Sequence, residues 1–251
     1  MHRYFEINER GHNIRCKLYC QDPKNIRRIV LFGHGFGGHK DNGAAETFAQ
    51  RLTSKYKNAA LVTFNWPAHG DDVKKSLHLD DCMAYLDLII PHLQQKYDTE
   101  ELYSYATSFG GYLTLKYIHD HGNPFRKIAL RCPAVNMYQV LTNTIMASGE
   151  LDQLQKGKPV PVGFDRKILV TPAFLQELQE QDIQQLDYLD FAEDILILHG
   201  TADEVVPYDA AYAFADNNLI EFIPVEGADH RFRSQQKMEM ATKEILTFFA
   251  L

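Results

Sequence analysis

The stretch from Tyr103 to Leu113 constrains the fold more than any other part of the chain. An apolar and aromatic run typical of a strand ends at Ser108, two glycines follow, and the residues from Tyr112 onward have the pattern of a helix. A serine at a strand-to-helix turn with small neighbours predicts a nucleophile elbow, in which a strained turn exposes one hydroxyl. The usual pattern is Gly-x-Ser-x-Gly; Ala106 holds the first glycine position here, and alanine is still small.

Predicted strands and helices alternate on both sides of this elbow. The pattern predicts a hairpin over 3–8 and 13–20, strands over 28–33, 59–65, 127–132, 194–200 and 220–225, and helices over 44–56, 76–97, 172–185, 208–216 and 235–251. An opening hairpin followed by this alternation indicates an α/β fold. We expect a mostly parallel central sheet with an antiparallel N-terminal hairpin and helices on both faces.

The region 133–190 interrupts the alternation. It is far longer than an ordinary αβ connection of about 2–6 residues. We interpret it as a cap subdomain inserted into a core formed by 1–132 and 191–251, over the strand ends where open α/β sheets bind ligands. Its apolar and aromatic residues would either shape a substrate pocket or form the core of the cap: Tyr138, Val140, Leu141, Phe164, Phe174 and Leu175.

Two further loops carry the residues that a serine nucleophile needs. A serine hydroxyl reacts well only when a base takes its proton and a third group orients the base. Asp203 follows the strand 194–200, and His230 follows the last strand. The chain order Ser108, Asp203, His230 is the order of α/β-hydrolases. Glu204 and Asp229 are neighbouring carboxylates, and Asp203 is favoured because the loop after its strand delivers it to the same sheet edge.

The same edge supplies candidate donors for the oxyanion that develops on a carbonyl substrate. The elbow offers the backbone N–H of Phe109. The loop His34-Gly-Phe-Gly-Gly offers the N–H of Phe36, whose side chain would also line an acyl pocket.

That loop also permits a different interpretation. Gly33, Gly35 and Gly38 match Gly-x-Gly-x-x-Gly after a strand, which is the dinucleotide-binding fingerprint. The next strand, however, ends at Phe64-Asn65-Trp66 with no acidic residue to hold a ribose. The dinucleotide hypothesis also leaves the serine, aspartate and histidine loops unexplained, so we favour a hydrolase.

Four segments together resemble the α/β-hydrolase superfamily: His34-Gly-Phe-Gly-Gly, Ala106-Thr-Ser-Phe-Gly, His199-Gly-Thr-Ala-Asp-Glu-Val-Val-Pro and Gly227-Ala-Asp-His-Arg-Phe. Within it the chain is similar to the serine aminopeptidase-like hydrolases and bacterial carboxylesterases, including cinnamoyl (feruloyl) esterases. The resemblance implies a serine hydrolase of small acyl or aryl esters, with an inserted subdomain over the pocket and no cofactor.

The chain departs from the pattern of this superfamily in two places. Ala106 replaces the first elbow glycine, and Trp66-Pro67 precede the His69-Gly70 pair in the loop after the strand 59–65. Neither departure removes a catalytic group. We interpret His34 and His69 as structural residues held by backbone hydrogen bonds.

Composition limits the classes of partner that the chain is expected to bind. The 251 residues carry a net charge of −7, which argues against a nucleic-acid partner. The four cysteines lack metal-ligand spacing, and neither a signal-peptide pattern nor an apolar run of membrane-span length is visible. We expect a cytoplasmic enzyme with a small-molecule ester substrate, no metal and no membrane span; a homodimer is compatible with the sequence.

Three alternatives to an esterase stay open. Thioester hydrolysis and amide or peptide hydrolysis would use the same three residues. The third is a non-catalytic binding protein on a hydrolase fold, although such a protein usually lacks one of the catalytic residues.

Overall fold

A computed structural model describes all residues from Met1 to Leu251. Its strands are β1 (His2–Glu9), β2 (His12–Cys20), β3 (Arg28–Gly33), β4 (Ala59–Phe64), β5 (Leu102–Thr107), β6 (Ile128–Arg131), β7 (Val160–Val162), β8 (Ile168–Val170), β9 (Ile195–Gly200) and β10 (Glu221–Val225). Eight of them form one sheet in the order β1-β2-β4-β3-β5-β6-β9-β10. The pairs β1–β2 and β2–β4 are antiparallel and the others are parallel, which confirms the predicted sheet.

The helices are α1 (Gly43–Lys55), α2 (Leu79–Tyr97), α3 (Phe109–His121), α4 (Met137–Val140), α5 (Glu150–Gln155), α6 (Pro172–Glu180), α7 (Tyr208–Asn217) and α8 (Gln235–Phe249). Successive side chains of a strand point to opposite faces of a sheet. In β3, Ile29 and Leu31 therefore pack with α2 and α3, whereas Val30 and Phe32 pack with α1 and α8. Burial on both faces explains why the central strands read as continuous apolar runs.

The region 133–190 contains short elements that the sequence did not resolve. A single π-helical turn, Leu141–Ile145, continues α4, and β7 pairs with β8 in a small antiparallel hairpin. The predicted helix 172–185 is wrong at its end, because α6 stops at Glu180. The Tyr112 hydroxyl of α3 donates to the carbonyl of Gln181 at 2.9 Å, so a tertiary contact stabilises the chain where it leaves the helix.

The start of α2 also differs from the prediction and shows how this region is attached to the core. The helix begins at Leu79 rather than at residue 76. Glu177 of α6 accepts a hydrogen bond from the Leu79 N–H at 2.8 Å, and its other oxygen lies 2.7 Å from Nδ1 of His78. A carboxylate near a helix amino end is favourable, so α6 caps α2 through tertiary contact.

All four cysteines are free and buried: Cys16, Cys20, Cys82 and Cys132. None of the helices has both the length and the apolar character that crossing a lipid bilayer requires.

Candidate active site

Ser108 lies between β5 and α3 in a strained conformation. Its φ is 52° and its ψ is −119°, values that a residue with a side chain rarely adopts. The backbone N–H of Ser108 donates to the Arg131 carbonyl at 3.1 Å, which ties the turn to β6. Strain of this kind persists only where the surrounding structure holds it in place.

Glycines pack so closely around this turn that side chains would collide. A Cβ on Gly110 would collide with the carbonyl oxygen of Gly33, and one on Gly35 would lie 3.1 Å from the Ser108 Cβ. Ala106 is the partner of Gly33 in the β3–β5 register. Because Gly33 has no side chain, the alanine Cβ at the first elbow position has room, which explains the departure from the usual pattern.

Asp203 and His230 meet at the same sheet edge. Oδ2 of Asp203 lies 2.8 Å from Nδ1 of His230, and Oδ1 accepts hydrogen bonds from the N–H groups of Val205 and Val206, each at 2.8 Å. The Asp203 side chain is fully buried. These contacts fix the carboxylate and leave Nε2 of the histidine as the ring nitrogen not bonded to it.

A second histidine, His199, also holds Asp203. Its Nε2 lies 3.2 Å from Asp203 Oδ2 and 3.1 Å from the Val206 carbonyl. Both neighbours are acceptors, so Nε2 carries the proton. Burial would raise the pKa of the Asp203 carboxyl, but the hydrogen bonds from His199 and His230 outweigh it and hold that pKa well below its usual range.

The two neighbouring carboxylates make other contacts. Glu204 accepts a hydrogen bond from the backbone N–H of His230, at 3.1 Å, and not from its ring. The Asp229 carboxylate accepts hydrogen bonds from the backbone N–H and the guanidinium of Arg233, each at 2.8 Å. Of the three carboxylates considered from sequence, only Asp203 contacts the imidazole.

Ser108 and His230 line one cavity of about 370 Å³, together with Phe36 and residues of the β7–β8 hairpin. The structure contains no direct hydrogen bond between the serine hydroxyl and the imidazole. Hydrogen bonds between catalytic groups are often long before substrate binds, so the shared cavity is the relevant geometry.

The two candidate oxyanion donors have no acceptor in the chain. Phe36 lies in the loop after β3, and its backbone N–H donates to no carbonyl of the chain. Phe109 is the first residue of α3, where N–H groups lack intrahelical acceptors. Their rings are 5.9 Å apart in an edge arrangement, so the two loops pack directly against each other.

His34 and His69 bond to the backbone, as predicted from sequence. Nδ1 of His34 lies 2.9 Å from the Gly35 carbonyl, and its Nε2 accepts from the Trp66 N–H at 3.3 Å. Nδ1 of His69 lies 2.8 Å from the Pro67 carbonyl. Burial lowers the pKa of His34 well below its usual value and that of His69 to about 4, so both rings are neutral.

Two glycines of the dinucleotide-like motif pack against the turn that carries Ser108. Gly33 and Gly35 contact Ala106 and Ser108 as described above, and α1 begins only at Gly43, after the motif has ended. The fingerprint requires a helix that opens within the motif to bind a pyrophosphate, and the loop here lacks it.

Most of the apolar residues singled out between 133 and 190 are core residues. Phe164 is 52% exposed and lines the cavity. The other five pack in or against the hydrophobic core: Tyr138, Val140, Leu141, Phe174 and Leu175.

Three residues near the site escaped the sequence interpretation: His199, Arg131 and Cys132. In the sequence, His199 was recognisable only as part of a motif, and Arg131 and Cys132 only as the end of a predicted strand.

Potential ligand atoms of Cys132, Asp203 and His230 lie within 4.8 Å of one another. Burial, helped by the Asp203 charge, raises the pKa of the Cys132 thiol well above its usual range, and a protonated thiol is a poor metal ligand.

Comparison with known proteins identifies the family. A family model described as the prolyl oligopeptidase family matches residues 62–251. The chain is 22% identical over 218 residues, 86% of its length, to monoacylglycerol lipase abhd6-B of Xenopus laevis. It spans only 59% and 50% of the lengths of the two curated relatives it matches.

Solved structures confirm the α/β-hydrolase fold. Est1E from Butyrivibrio proteoclasticus, solved with bound ferulic acid, has a TM-score of 0.76 and 16% identity, covering 98% of this chain and 100% of that one. A soluble variant of monoglyceride lipase from Saccharomyces cerevisiae has a TM-score of 0.73 and 12% identity, covering 98% and 94%. At these identities the likeness concerns the fold.

Proposed function

Because the chain belongs to the prolyl oligopeptidase family and has the α/β-hydrolase fold, we propose that it is a serine hydrolase. Its reaction is the cleavage of carboxylic esters of small acyl or aryl acids through an acyl-enzyme intermediate. The observation that carries the proposal is the buried Asp203–His230 pair, 2.8 Å apart, beside a cavity that the strained Ser108 also lines.

In the proposed mechanism His230 takes the proton of Ser108 as the hydroxyl attacks the ester carbonyl. Asp203 holds the proton on Nδ1, so Nε2 is free to act as the base, and it stabilises the imidazolium that forms. The contact between the hydroxyl and Nε2 shortens when substrate fills the cavity. The imidazolium then protonates the leaving alcohol, and the neutral ring activates the water that releases the acid.

The oxyanion forms where the N–H groups of Phe36 and Phe109 lie unpaired. Preformed donors at this position stabilise the developing charge without reorganising during the reaction. The close packing of Gly35 and Gly110 supports this role, because it fixes both donor loops relative to Ser108.

The names of the relatives support esters rather than amides as the substrates of this chain. The matched curated sequences are named monoacylglycerol lipases, and the similar structures include another monoglyceride lipase and Est1E with bound ferulic acid. Thioester and peptide hydrolysis remain the alternatives, since the family description names a peptidase and the same triad serves each leaving group. We propose the region 133–190 as the cap that selects the substrate, because Phe164 and its hairpin form one wall of the cavity.

Labelling with a fluorophosphonate tests the nucleophile. We expect a single mass adduct on Ser108 that is lost in Ser108→Ala and kept in Ser54→Ala, since Ser54 is exposed on α1. The values of kcat/KM for p-nitrophenyl esters, aryl esters, acyl-CoAs and aminoacyl amides then rank the leaving groups. Absence of an adduct while a reference esterase reacts would favour a binding protein.

A further inference from the structure

We propose that the substrate carries a second, negatively charged group, a carboxylate or a phosphate, and that Arg131 binds it. The inference rests on the proposed hydrolase function and names the substrate class of the same cavity: anionic esters.

Arg131 is placed directly beside the nucleophile. It is the last residue of β6, and it pairs in register with Thr107, the residue before Ser108. Its carbonyl accepts the hydrogen bond from the Ser108 N–H. Neighbouring strands lie about 4.8 Å apart, and Arg131 lines the same cavity as Ser108. A group bound by this arginine would therefore share one cavity with the serine nucleophile.

The charge of Arg131 has no counter-ion. The residue is only 7% exposed, and none of the ion pairs in the structure includes it. Nη1 donates to the Arg231 carbonyl at 3.2 Å and contacts the Met238 sulfur at 3.5 Å, while Nε is buried without a partner. A buried, unpaired cation is costly, and an arginine in this state is unusual unless a ligand supplies the missing anion.

The guanidinium is held in place before any ligand arrives. It lies 5.2 Å from the ring centroid of Phe232, a cation–π contact that stabilises the charge in part. With Nη1 fixed by the backbone of Arg231, the remaining donors are oriented. Preorganised donors lose little entropy on binding.

Other groups along the cavity add positive potential. Its lining includes Arg166, which makes no ion pair, and Arg231, which is paired with Asp165 at 2.6 Å. The lining thus holds three arginines and one aspartate, in a chain whose net charge is −7. This contrast indicates a local field that attracts anions.

The amino end of α1 reaches the same cavity. Asn42, Gly43 and Ala44 line it, and the Asn42 side chain accepts only from the Ala45 N–H. The N–H groups of Gly43 and Ala44 at the first positions of the helix have no intrahelical acceptor. A Cβ on Gly43 would meet nothing within 4 Å, so this end of the helix opens onto free space. Helix amino ends favour anions, so this end of α1 adds backbone donors to the cavity that Arg131 also lines.

Two pairs of esters test the proposal in wild-type protein. The first compares p-nitrophenyl hemiglutarate with neutral p-nitrophenyl pentanoate, which places the charge on the acyl side. The second compares 4-(butyryloxy)benzoate with its methyl ester, which places it on the alcohol side. After correction for hydroxide-catalysed rates, we expect kcat/KM to favour the anionic member of at least one pair. A neutral preference in both pairs would overturn the proposal.

Variants assign the preference to Arg131. In Arg131→Gln the ratio of anionic to neutral kcat/KM should fall about 10- to 100-fold, the loss expected for a charge-assisted hydrogen bond. Arg131→Lys should keep part of the preference for the anionic ester. Arg27 is exposed, lies just before β3 and does not line the cavity, so Arg27→Gln should leave the ratio at the wild-type value. An equal loss on both members of each pair would show a merely structural role and refute the assignment.

Binding measurements separate this inference from the hydrolase proposal. Glutarate and glycerol phosphate, added separately to Ser108→Ala protein, should raise the melting temperature, and the stronger of the two identifies carboxylate or phosphate as the ligand. If neither glutarate nor glycerol phosphate raised the melting temperature, the anion site would be contradicted, even if fluorophosphonate labels wild-type Ser108. A missing label with a clear thermal shift would instead contradict only the hydrolase.

Discussion

Oδ2 of Asp203 and Nε2 of His199 lie 3.2 Å apart, and neither side chain has any exposure to solvent. The carboxylate that orients His230 is therefore itself oriented by a second imidazole from β9. His199 does not line the cavity, so its effect on the reaction passes through Asp203 and it acts as a positioning residue.

Replacing His199 should affect turnover more than substrate binding. In His199→Phe we expect kcat to fall about 10-fold, the value of one hydrogen bond to a charged group, with KM close to wild type. His199→Gln, whose amide can still donate to Asp203, should retain more activity. A KM increase without a change in kcat would contradict the positioning role.

Replacing Asp203 should be far more damaging than replacing a neighbouring carboxylate. Asp203→Asn removes the charge that stabilises the imidazolium and permits the wrong tautomer of His230, so kcat should fall about 10⁴-fold. Asp229→Asn is the matched control, because Asp229 binds Arg233 and not the imidazole ring. Steady-state rates on one p-nitrophenyl ester decide the point, and similar losses in the two variants would argue against the assignment of Asp203.

A methyl group at Gly110 should destabilise the protein. The new Cβ would collide with the Gly33 carbonyl oxygen, a backbone atom that cannot rotate away as a flexible side chain could. We expect Gly110→Ala to lose about 3 kcal/mol of unfolding free energy in urea, the upper range for overpacking. Gly43→Ala, whose Cβ meets open space, should unfold near the wild-type midpoint; equal midpoints for all three proteins would disprove the close contact.

The buried histidines should make the fold sensitive to acid. Burial lowers the pKa of His69 to about 4 in the native state, against about 6.5 in an unfolded chain. The unfolded state therefore binds the proton more readily, and the stabilising contribution of neutral His69 is fully present above pH 6.5 and declines as pH falls toward 4. Its full value is about 3 kcal/mol.

Urea unfolding between pH 8 and pH 4 measures this effect. The wild-type unfolding free energy should decline below pH 6.5, and His69→Asn, which keeps a donor for the Pro67 carbonyl, should show a shallower decline. His34 contributes in the same direction, because burial lowers its pKa too. Parallel curves for the two proteins would show that His69 does not titrate as described.

The sequence predicted the sheet and the loops that carry Ser108, Asp203 and His230 because both depend on local patterns. Apolar runs such as Ile29–Phe32 are buried on both faces, and Ser108 and Asp203 each follow such a run, whereas His230 follows the partly exposed edge strand β10. Contact between Asp203 and His230 was expected from the common edge of parallel strands, and the structure has it at 2.8 Å.

Features that depend on tertiary contact were not predictable in this way. The β7–β8 hairpin has strands of three residues each and a proline in the first, too short for a periodic signal. The start of α2 depends on Glu177, almost a hundred residues along the chain. The unpaired charge of Arg131 is visible only once its neighbours are placed, since an arginine at the end of a strand ordinarily reads as a solvated residue.

The close packing of Gly110 against Gly33 has a consequence for how this protein can diversify. It packs two peptide backbones together with no room for a side chain between them, so the turn carrying Ser108 and the loop carrying Phe36 fit each other closely. Substitutions there have no room to alter one loop without displacing the other. The tip of the β7–β8 hairpin differs, because Phe164, Asp165 and Arg166 are exposed and line the cavity. Evolution or a protein engineer can vary this tip without disturbing the core, so new substrates should be acquired at that wall of the cavity while the reacting groups stay unchanged.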